Sequence, residues 1–526
     1  MTLLVNPEVD ALNVLGCDAL AAGEPDRAVA IFGQAILSAP LDPHTHVNMA
    51  AAYLALNRLG DALAHARRAA NLAPGLAEAH HNLGNTLFLA GDADAALTAF
   101  GAARALNPDE EAHWSNFLFA QTFSETADSS AIFAENRAWG RRLEQQAGLP
   151  ARPAIADADP DRALSLAYAV PELTEHVTPR FLAPVLAAHD RSRFRLSLYG
   201  HRSAGGPPPQ MLVPPDVRWV DTYGLSPAEI AAAMRRDRID VLIHPCTFRS
   251  RLRPVLAYRA APLQMAGINF VSSTGLAATD YLLSDATLTP PHTSAQYFTE
   301  RLIILPSFNC YGVPPDAPEV APLPALRNGF LRFGSFNAPS KFGAQTIETW
   351  SQILTRMPTS RLLLKHRVFE DRAVRDGFTQ RFVAQGVAPD RLEFSGFTAG
   401  VGDYLGAYGK VDIVLDAMPF NGGTTSYEAI WMGVPVLTLA GDLLMGRQSA
   451  SLMRAVGHPE FITDSKQAYV AKAFSLGQDL DRLAGIRARL RADAARTIFD
   501  AARFTRTLED AVRTAWRDLV AAQAAD

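Results

Sequence analysis

Cysteine and long apolar runs are both scarce in this sequence, and their scarcity excludes several classes of protein. Only three cysteines occur, Cys17, Cys246 and Cys310, and no two form a CxxC pair. This spacing argues against a disulfide framework and against a cysteine zinc site. No apolar run approaches the length of about 18 residues that a membrane span needs, and the first residues lack the basic start of a signal peptide. We therefore expect a cytoplasmic protein that contacts no membrane.

An excess of one charge is also missing. The 526 residues include 49 Lys and Arg against 54 Asp and Glu, which gives a formal net charge of −5. Because no long run of one sign occurs, we do not expect electrostatic binding of nucleic acid. Apolar residues make up 48%, as in globular proteins, and the length is enough for about three domains.

The N-terminal part of the chain repeats with a period of 34 residues. Three prolines, Pro40, Pro74 and Pro108, mark this period, and each follows small or apolar residues at fixed offsets. These residues are Ala28, Phe32 and Ala35, then Ala62, Ala66 and Ala69, then Ala96, Phe100 and Ala103. The pattern is that of tetratricopeptide repeats, in which two antiparallel helices pack closely through alanines.

Three asparagines keep the same spacing of 34 residues, namely Asn48, Asn82 and Asn116. Stacked repeats place equivalent positions in a row, and each amide side chain offers a donor and an acceptor. The row is therefore suited to binding the backbone of an extended peptide. The alternative is that each asparagine only satisfies a neighbouring helix end.

Beyond the repeats, short apolar runs alternate with helical stretches, which predicts two parallel sheets in an α/β arrangement. The sequence predicts repeats in 1–125, a capping helix and linker in 126–160, and two Rossmann-like halves in 161–325 and 326–526, the second with closing helices. Twin halves of this kind enclose a cleft. The predicted strands are 164–170, 195–200, 240–245, 302–305, 331–336, 362–366, 392–397, 412–416 and 435–439.

The segment VDIVLDAMPFNGGTTSYEAIWMGVPV, residues 411–436, is the most informative. A buried strand is followed by a polar loop and helix start made of Asn421, Gly422, Gly423, Thr424 and Thr425. Bare amides and hydroxyls at a helix start suit a phosphate or diphosphate, and Glu428 one turn later could accept hydrogen bonds from ribose hydroxyls. The alternative is an ordinary junction with Thr424 as N-cap and Glu428 as a first-turn acid.

Two further side chains are candidates for chemistry. Lys341, in FGSFNAPSKFG after a predicted strand, could neutralise a leaving diphosphate without a metal; the alternative is a solvated surface lysine. His176 follows the first predicted strand and could act as a general base or acid; the alternative is a structural histidine in a loop.

Tetratricopeptide repeats followed by twin α/β halves that carry FNGGTTSYEAIWMGVPV resemble the O-linked N-acetylglucosamine transferase family, including its SPINDLY-like and bacterial members (glycosyltransferase family 41). The similarity covers roughly residues 10–120 and 163–520. The resemblance implies an N-terminal α-solenoid followed by a GT-B glycosyltransferase with an acceptor-side and a nucleotide-sugar half. It also implies inverting, metal-independent transfer from a nucleotide sugar, UDP-GlcNAc first, to Ser or Thr of a protein, with no cofactor.

The resemblance also assigns roles to individual residues. The family's active-site histidine matches His176, and its diphosphate-binding lysine matches Lys341. Its phosphate-binding threonines match Thr424 and Thr425, its ribose-binding carboxylate matches Glu428, and its nucleobase-side residue matches Tyr404. Its small-residue loop near the sugar matches Ser273, Thr274 and Gly275.

The sequence departs from the mammalian-type pattern at several donor contacts. It has Gly423 in place of a histidine before the threonine pair, Ala338 in place of a glutamine, Tyr404 in place of a histidine, and no basic residue in 399–402. These departures leave the donor base and sugar open. One alternative is a flagellin glycosyltransferase that uses a nonulosonic acid donor. Another is a non-catalytic peptide-binding adaptor with a degenerate transferase domain.

Overall fold

A computed structural model describes residues 6–170, 177–202, 212–245, 252–268, 272–314 and 316–525. The chain begins with paired antiparallel helices that follow the predicted repeat. These helices are α1 (Pro7–Ala21), α2 (Pro25–Ser38), α3 (Pro43–Ala55), α4 (Leu59–Leu72), α5 (Ala77–Leu89), α6 (Ala93–Leu106) and α7 (Glu111–Gln121). The alanines at the repeat positions Ala28, Ala62 and Ala96 are fully buried, so the helices approach closely. Helix α8 (Ser129–Gln146), capped by Asp128, ends the array.

In the described residues of the first α/β half, seven parallel strands form a sheet in the order β3-β2-β1-β4-β5-β6-β7. The strands are β1 (Leu164–Ala169), β2 (Phe194–Gly200), β3 (Arg218–Asp221), β4 (Val241–His244), β5 (Leu263–Ala266), β6 (Tyr281–Asp285) and β7 (Arg301–Leu305). The helices are α9 (Val177–Ala188), α10 (Pro227–Arg236), α11 (Arg253–Ala257) and α12 (Pro291–Ser294).

The second half has six parallel strands in the order β10-β9-β8-β11-β12-β13. The strands are β8 (Arg332–Ser335), β9 (Arg361–Lys365), β10 (Leu392–Ser395), β11 (Ile413–Leu415), β12 (Val436–Leu439) and β13 (Ile462–Thr463). The helices are α13 (Ala325–Asn328), α14 (Ala344–Arg356), α15 (Arg372–Val383), α16 (Val401–Gly406), α17 (Thr424–Trp431), α18 (Gln448–Ala455), α19 (Lys466–Gly477), α20 (Leu480–Ala495) and α21 (Ala501–Ala525).

The predicted fold class is confirmed: a helical repeat array precedes two parallel α/β sheets. All nine predicted strands form, whereas β3, β5, β6 and β13 were not predicted from the sequence. The last helix, α21, packs against α9 of the first half. Its Glu509 carboxylate is hydrogen-bonded to the buried His189 ring at 2.8 Å, so the chain returns to the first half at its end.

The two halves meet through polar contacts as well as apolar packing. The Tyr311 hydroxyl, in the segment that joins the halves, donates to Glu428 of α17 at 3.4 Å, and Ser451 of α18 donates to Asp285 at the end of β6. Asp285 ends β6, and Glu428 lies in the helix that follows β11; parallel α/β sheets bind ligands at the carboxyl ends of their strands. None of the helices in the described ranges is both long and apolar enough for a membrane span.

Candidate active site

The loop that follows β11 is held in shape by a buried carboxylate. Asp416 accepts hydrogen bonds from the Gly422 N–H at 2.6 Å and from the Thr438 hydroxyl at 2.9 Å. Burial raises the pKa of Asp416, and these hydrogen bonds partly offset the effect. Gly422 is required here, because a Cβ at this position would lie 2.2 Å from the Ser426 hydroxyl oxygen. The backbone of the loop is therefore fixed before any ligand binds.

Helix α17 begins directly after this loop, at Thr424. Its N-cap is Gly423, and no side chain among the described residues accepts from its first amides as a cap. Thr424 is therefore not the N-cap that the ordinary-junction alternative requires. Gly423, Thr424 and Thr425 are partly exposed, and the Thr425 hydroxyl donates to Asn337 at 2.7 Å. Uncapped amides beside hydroxyls at the start of an eight-residue helix form an anion-binding arrangement.

Lys341 lies at this helix start although it is about 80 residues away in the chain. It ends the short turn Pro339–Lys341 that follows β8. Its Nζ donates to the Asn421 carbonyl oxygen at 2.6 Å and lies 4.4 Å from the centre of the Phe420 ring. Withdrawal from water lowers the pKa of Lys341 to about 8, against the opposing effect of the Asp416 carboxylate. The ammonium group therefore adds positive charge to the same arrangement.

Glu428 and Tyr404, both expected at the nucleoside end, are in direct contact. The Tyr404 hydroxyl donates to Glu428 Oε2 at 3.1 Å, and the Tyr311 hydroxyl donates to Oε1. Glu428 is 7% exposed, and burial raises its pKa to about 7 although the tyrosine hydroxyls favour the charged form. Its carboxyl group therefore changes charge near neutral pH.

The small-residue loop of the first half lies in a closed environment. Ser273 and Thr274 are fully buried, and both hydroxyls donate to the Glu300 carboxylate, Ser273 at 2.7 Å. Gly275 packs against α8 so closely that a Cβ would lie 2.0 Å from the Asn136 carbonyl oxygen. The structure thus uses the two hydroxyls inside the first half and packs Gly275 against α8, and the role of this loop near the sugar stays a prediction.

The asparagine row occupies equivalent positions on α3, α5 and α7, and all three residues are partly exposed. Asn48 donates to the Asn13 side chain at 3.2 Å, and Asn116 is hydrogen-bonded to the His81 ring at 3.2 Å. Two of the three amides therefore also join neighbouring repeats, and their role in peptide binding stays a prediction. His176 lies outside the described residues, so its role stays a prediction as well.

Sequence reasoning missed Asn337, which contacts the loop and helix start after β11 (residues 416–425, the candidate donor loop). Asn337 stands in the same FNAPSK segment as Lys341, so proximity to that lysine was the available signal.

A cavity of about 440 Å³ also opens between α8, the first half and the second-half residues 442–447. It adjoins the donor loop, because the Met445 carbonyl accepts from the Asn421 N–H at 3.0 Å. Within the ranges that the structure describes, no three His, Cys, Asp or Glu side chains cluster as metal ligands.

Comparison with known proteins agrees with this architecture. Residues 324–508 match the family model of glycosyl transferase family 41, and residues 77–110 match a tetratricopeptide repeat. A lysine-to-methionine mutant of the Thermobaculum terrenum O-GlcNAc transferase has a solved structure that is similar over 100% of both chains, with a TM-score of 0.89 and 32% identity.

Curated plant proteins are similar over part of their length. A probable UDP-N-acetylglucosamine–peptide N-acetylglucosaminyltransferase SPINDLY from Oryza sativa subsp. japonica is 31% identical over 80% of this chain and 46% of its own length. The Arabidopsis thaliana protein of the same name is 30% identical over 78% of this chain and 46% of its own. This chain thus spans about half the length of the curated relatives it matches. Together with the full-length structural match, the family model shows that the chain belongs to the tetratricopeptide-repeat O-linked N-acetylglucosamine transferase family of glycosyltransferases.

Proposed function

We propose that this chain is a protein O-glycosyltransferase that moves N-acetylglucosamine from UDP-GlcNAc to a Ser or Thr hydroxyl of a protein bound by the repeats. The observation that carries the proposal is the contact of Lys341 Nζ with the Asn421 carbonyl beside the uncapped start of α17. The plant relatives are named as probable UDP-N-acetylglucosamine–peptide N-acetylglucosaminyltransferases, which supports the donor and the acceptor class.

The donor diphosphate binds where positive charge and free donors meet. The amides at the start of α17 and the Thr424 and Thr425 hydroxyls donate to phosphate oxygens, and the Lys341 ammonium pairs with the charge that develops as the nucleotide leaves. These groups perform the task that a divalent cation has in other transferases, so the proposal includes no metal and no cofactor beyond the nucleotide sugar.

The nucleoside end of the donor lies beside Glu428 and Tyr404. When Glu428 is ionised, its carboxylate accepts hydrogen bonds from ribose hydroxyls better than its neutral form does. The Tyr404 hydroxyl already donates to this carboxylate and sets its orientation. Tyr404 thereby contributes to the shape of the pocket at the nucleobase side.

Transfer is a single displacement that inverts the configuration of the sugar. The acceptor hydroxyl oxygen bonds to the anomeric carbon while the bond from that carbon to the diphosphate oxygen breaks, and UDP leaves with the electron pair. The hydroxyl proton passes to a general base, and His176 is our candidate for that base or for positioning the acceptor. The acceptor segment reaches the donor through the cavity beside α8, which adjoins the donor loop. We place the reaction in the cytoplasm, in keeping with the widely spaced cysteines.

The test is to incubate the purified full chain with UDP-, GDP- and CMP-sugars and to follow nucleotide release and the mass of candidate acceptors. We expect release of UDP from UDP-GlcNAc and a matching increase in acceptor mass. Release only from a CMP-activated nonulosonic acid, with modification of flagellin, would support the flagellin alternative. A folded protein that releases no nucleotide from any donor would support the adaptor alternative and overturn the proposal.

A further inference from the structure

The turn that carries Lys341 packs against the repeat array. The loop between α5 and α6 contains Gly91, whose φ of +89° is readily adopted only by glycine. A Cβ added to Gly91 would lie 2.9 Å from the Pro339 carbonyl oxygen and 2.6 Å from the Phe378 ring. The backbone of the repeats therefore lies directly on the Pro339–Lys341 turn, with no room for a side chain between them.

The segment after α7 contacts the donor loop itself. The Phe123 ring stacks on the Phe420 ring, with centroids 4.2 Å apart and an interplanar angle of 20°. Phe420 precedes Asn421 in the chain and is 7% exposed. The Lys341 Nζ lies 4.4 Å from the centre of the same Phe420 ring. One ring of the second half thus contacts both a repeat side chain and the proposed donor-binding ammonium.

Glu125, two residues further along, caps a helix of the second half. Helix α14 begins three residues after Lys341, and its N-cap is Gly343, which has no side chain to act as a cap. Glu125 Oε1 accepts from the Gln345 N–H at 2.7 Å. Burial raises the pKa of Glu125, as does nearby Asp94, whereas the Gln345 N–H and the cations Lys466 and Arg381 favour the charged form. A carboxylate at a helix N-terminus stabilises that helix.

We infer that Phe123 and Glu125, the repeat clamp, are positioning residues that hold the Lys341 turn and the Asn421 loop in the geometry that the leaving diphosphate needs. This inference rests on the proposed function of Lys341. Phe123 acts through Phe420, and Glu125 acts through the start of α14. The repeat array is therefore part of the donor site as well as a surface for the acceptor.

The expected effect follows from how strongly catalysis depends on placement. A displacement of about 1 Å in a catalytic group can cost up to about a hundredfold in rate. Loss of one arm of the clamp frees the turn without removing Lys341, so we expect a decrease on the order of tenfold in the rate of UDP-GlcNAc hydrolysis without acceptor. UDP binding should weaken by a smaller factor, because the phosphate donors remain.

The experiment compares full-length Glu125→Ala and Phe123→Leu with the wild type, using acceptor-free hydrolysis of UDP-GlcNAc, UDP affinity and thermal unfolding. Glu125→Gln should recover most of the rate, because its amide oxygen still accepts from the Gln345 N–H. Two matched controls change repeat side chains with partners inside the array: Glu135→Ala removes the partner of Arg104, and Phe117→Leu removes a ring beneath the same arginine. Both controls should hydrolyse at the wild-type rate.

A second measurement requires no donor and separates the clamp from the proposed function. The rate at which a small amine-reactive acylating reagent modifies Lys341, measured by mass spectrometry as a function of pH, reports the pKa of the Lys341 amine. In the wild type the acylation rate should be half-maximal near pH 8. In the clamp variants this midpoint should shift towards pH 10.5, because the freed turn becomes hydrated. If the wild type releases no UDP while this shift occurs, the proposed function fails and the clamp stands.

The clamp is overturned if either Glu125→Ala or Phe123→Leu unfolds cooperatively like the wild type, hydrolyses UDP-GlcNAc at the wild-type rate and leaves the acylation profile unchanged. Phe123 and Glu125 make separate contacts with the second half. If one of the two variants fails to fold, the other variant therefore provides the deciding test. A decrease of similar size in the Glu135→Ala and Phe117→Leu controls would also contradict it, since general loosening of the array would then explain the effect.

Discussion

Two loops of similar composition, one in each half, have opposite environments. The Ser273–Gly275 loop of the first half is buried, and its hydroxyls donate to Glu300. The loop and helix start from Gly423 to Thr425 are partly exposed and adjacent to Lys341, and no side chain in the described ranges caps the helix. Both contain glycine and hydroxyl residues after a strand, so composition does not distinguish them. The buried Glu300 carboxylate accepts from both hydroxyls of the first loop, whereas no side chain among the described residues caps the first amides of α17. Uncapped amides at a helix start are what a phosphate requires.

The largest expected effect is that of replacing Lys341, which lies beside the partly exposed loop of the second half. Lys341→Ala should lower the transfer rate by about a hundredfold or more, because it removes a charge that acts on the leaving group. UDP binding should weaken less. Steady-state transfer assays and calorimetric titration of UDP measure the two quantities. Wild-type turnover by a folded Lys341→Ala protein would remove the second-half loop from the donor site.

A matched pair of substitutions tests the comparison directly. Thr425→Val removes a hydroxyl from the open loop and should lower kcat/KM about tenfold or more, the scale of a hydrogen bond to a charged group, with little change in unfolding. Thr274→Val removes a hydroxyl from the closed loop, leaves part of the buried Glu300 carboxylate unpaired and should destabilise the fold by about 1–3 kcal/mol. Its kcat should stay unchanged while it is folded.

Denaturant unfolding and initial rates on both variants are sufficient measurements. If Thr274→Val lost activity without losing stability, the closed loop would contact the donor after all. If Thr425→Val lost stability without losing activity, its bond to Asn337 would be merely structural.

Sequence patterns predicted the parts of the fold in which local composition is uniform. The nine predicted strands are short segments rich in apolar residues, and in some of them, such as 392–397, apolar and polar residues alternate. Strand β5 was missed because Gln264 interrupts it; this residue is fully buried, and its amide donates to the Leu256 and Ala278 carbonyls. Strand β3 was missed because it begins with Arg218 and ends with Asp221, both exposed. Tertiary hydrogen bonds allow the polar Gln264 in β5, and a position at the sheet edge allows the charged ends of β3. Neither feature is visible in a local sequence pattern.

The same limit applies to the site. The NGGTT segment is contiguous and was recognised, whereas the bond between Asn337 and Thr425 joins residues that are 88 positions apart. The contact of Glu125 with the start of α14 spans 220 positions. Ser273 and Thr274 matched the family pattern only loosely, and the burying partner Glu300 could not be foreseen from a segment 26 residues away.

The asparagine row is expected to affect acceptor binding and not the donor site. Replacement of Asn48, Asn82 and Asn116 by Ala together should cost on the order of tenfold or more in acceptor affinity, at about 0.5–1.5 kcal/mol for each lost hydrogen bond. Acceptor-free UDP release should stay unchanged. A repeat fragment of residues 1–120 should also retain the acceptor on a column. If the triple variant modifies its acceptor as well as the wild type does, the row only joins the repeats.

The pH profile provides a smaller test of the two titrating donor groups. Glu428, with a pKa raised to about 7, gains its charge as pH rises through that value, so ribose binding should strengthen. Lys341, with a pKa lowered to about 8, loses its charge as pH rises further. The profile of kcat/KM should therefore be bell-shaped. Glu428→Gln should remove the acid limb, and Lys341→Arg should move the alkaline limb upward. An acid limb that persists in Glu428→Gln belongs to another group, such as His176.

The smallest expected effect is that of a chelator. Because Lys341 and the start of α17 supply the positive charge, EDTA should leave transfer unchanged. The measurement is the transfer rate before and after chelation, with Mg²⁺ or Mn²⁺ added back. Loss of activity on chelation and rescue by either cation would show that the diphosphate is bound differently.

A crystal structure of the full chain with UDP tests most directly where the donor diphosphate binds. We expect the diphosphate at the start of α17, within hydrogen-bond distance of Lys341 Nζ and of the Thr424 and Thr425 amides, with the ribose beside Glu428. A diphosphate bound elsewhere, or directed away from Lys341, would show that this helix start and Lys341 do not form the donor site.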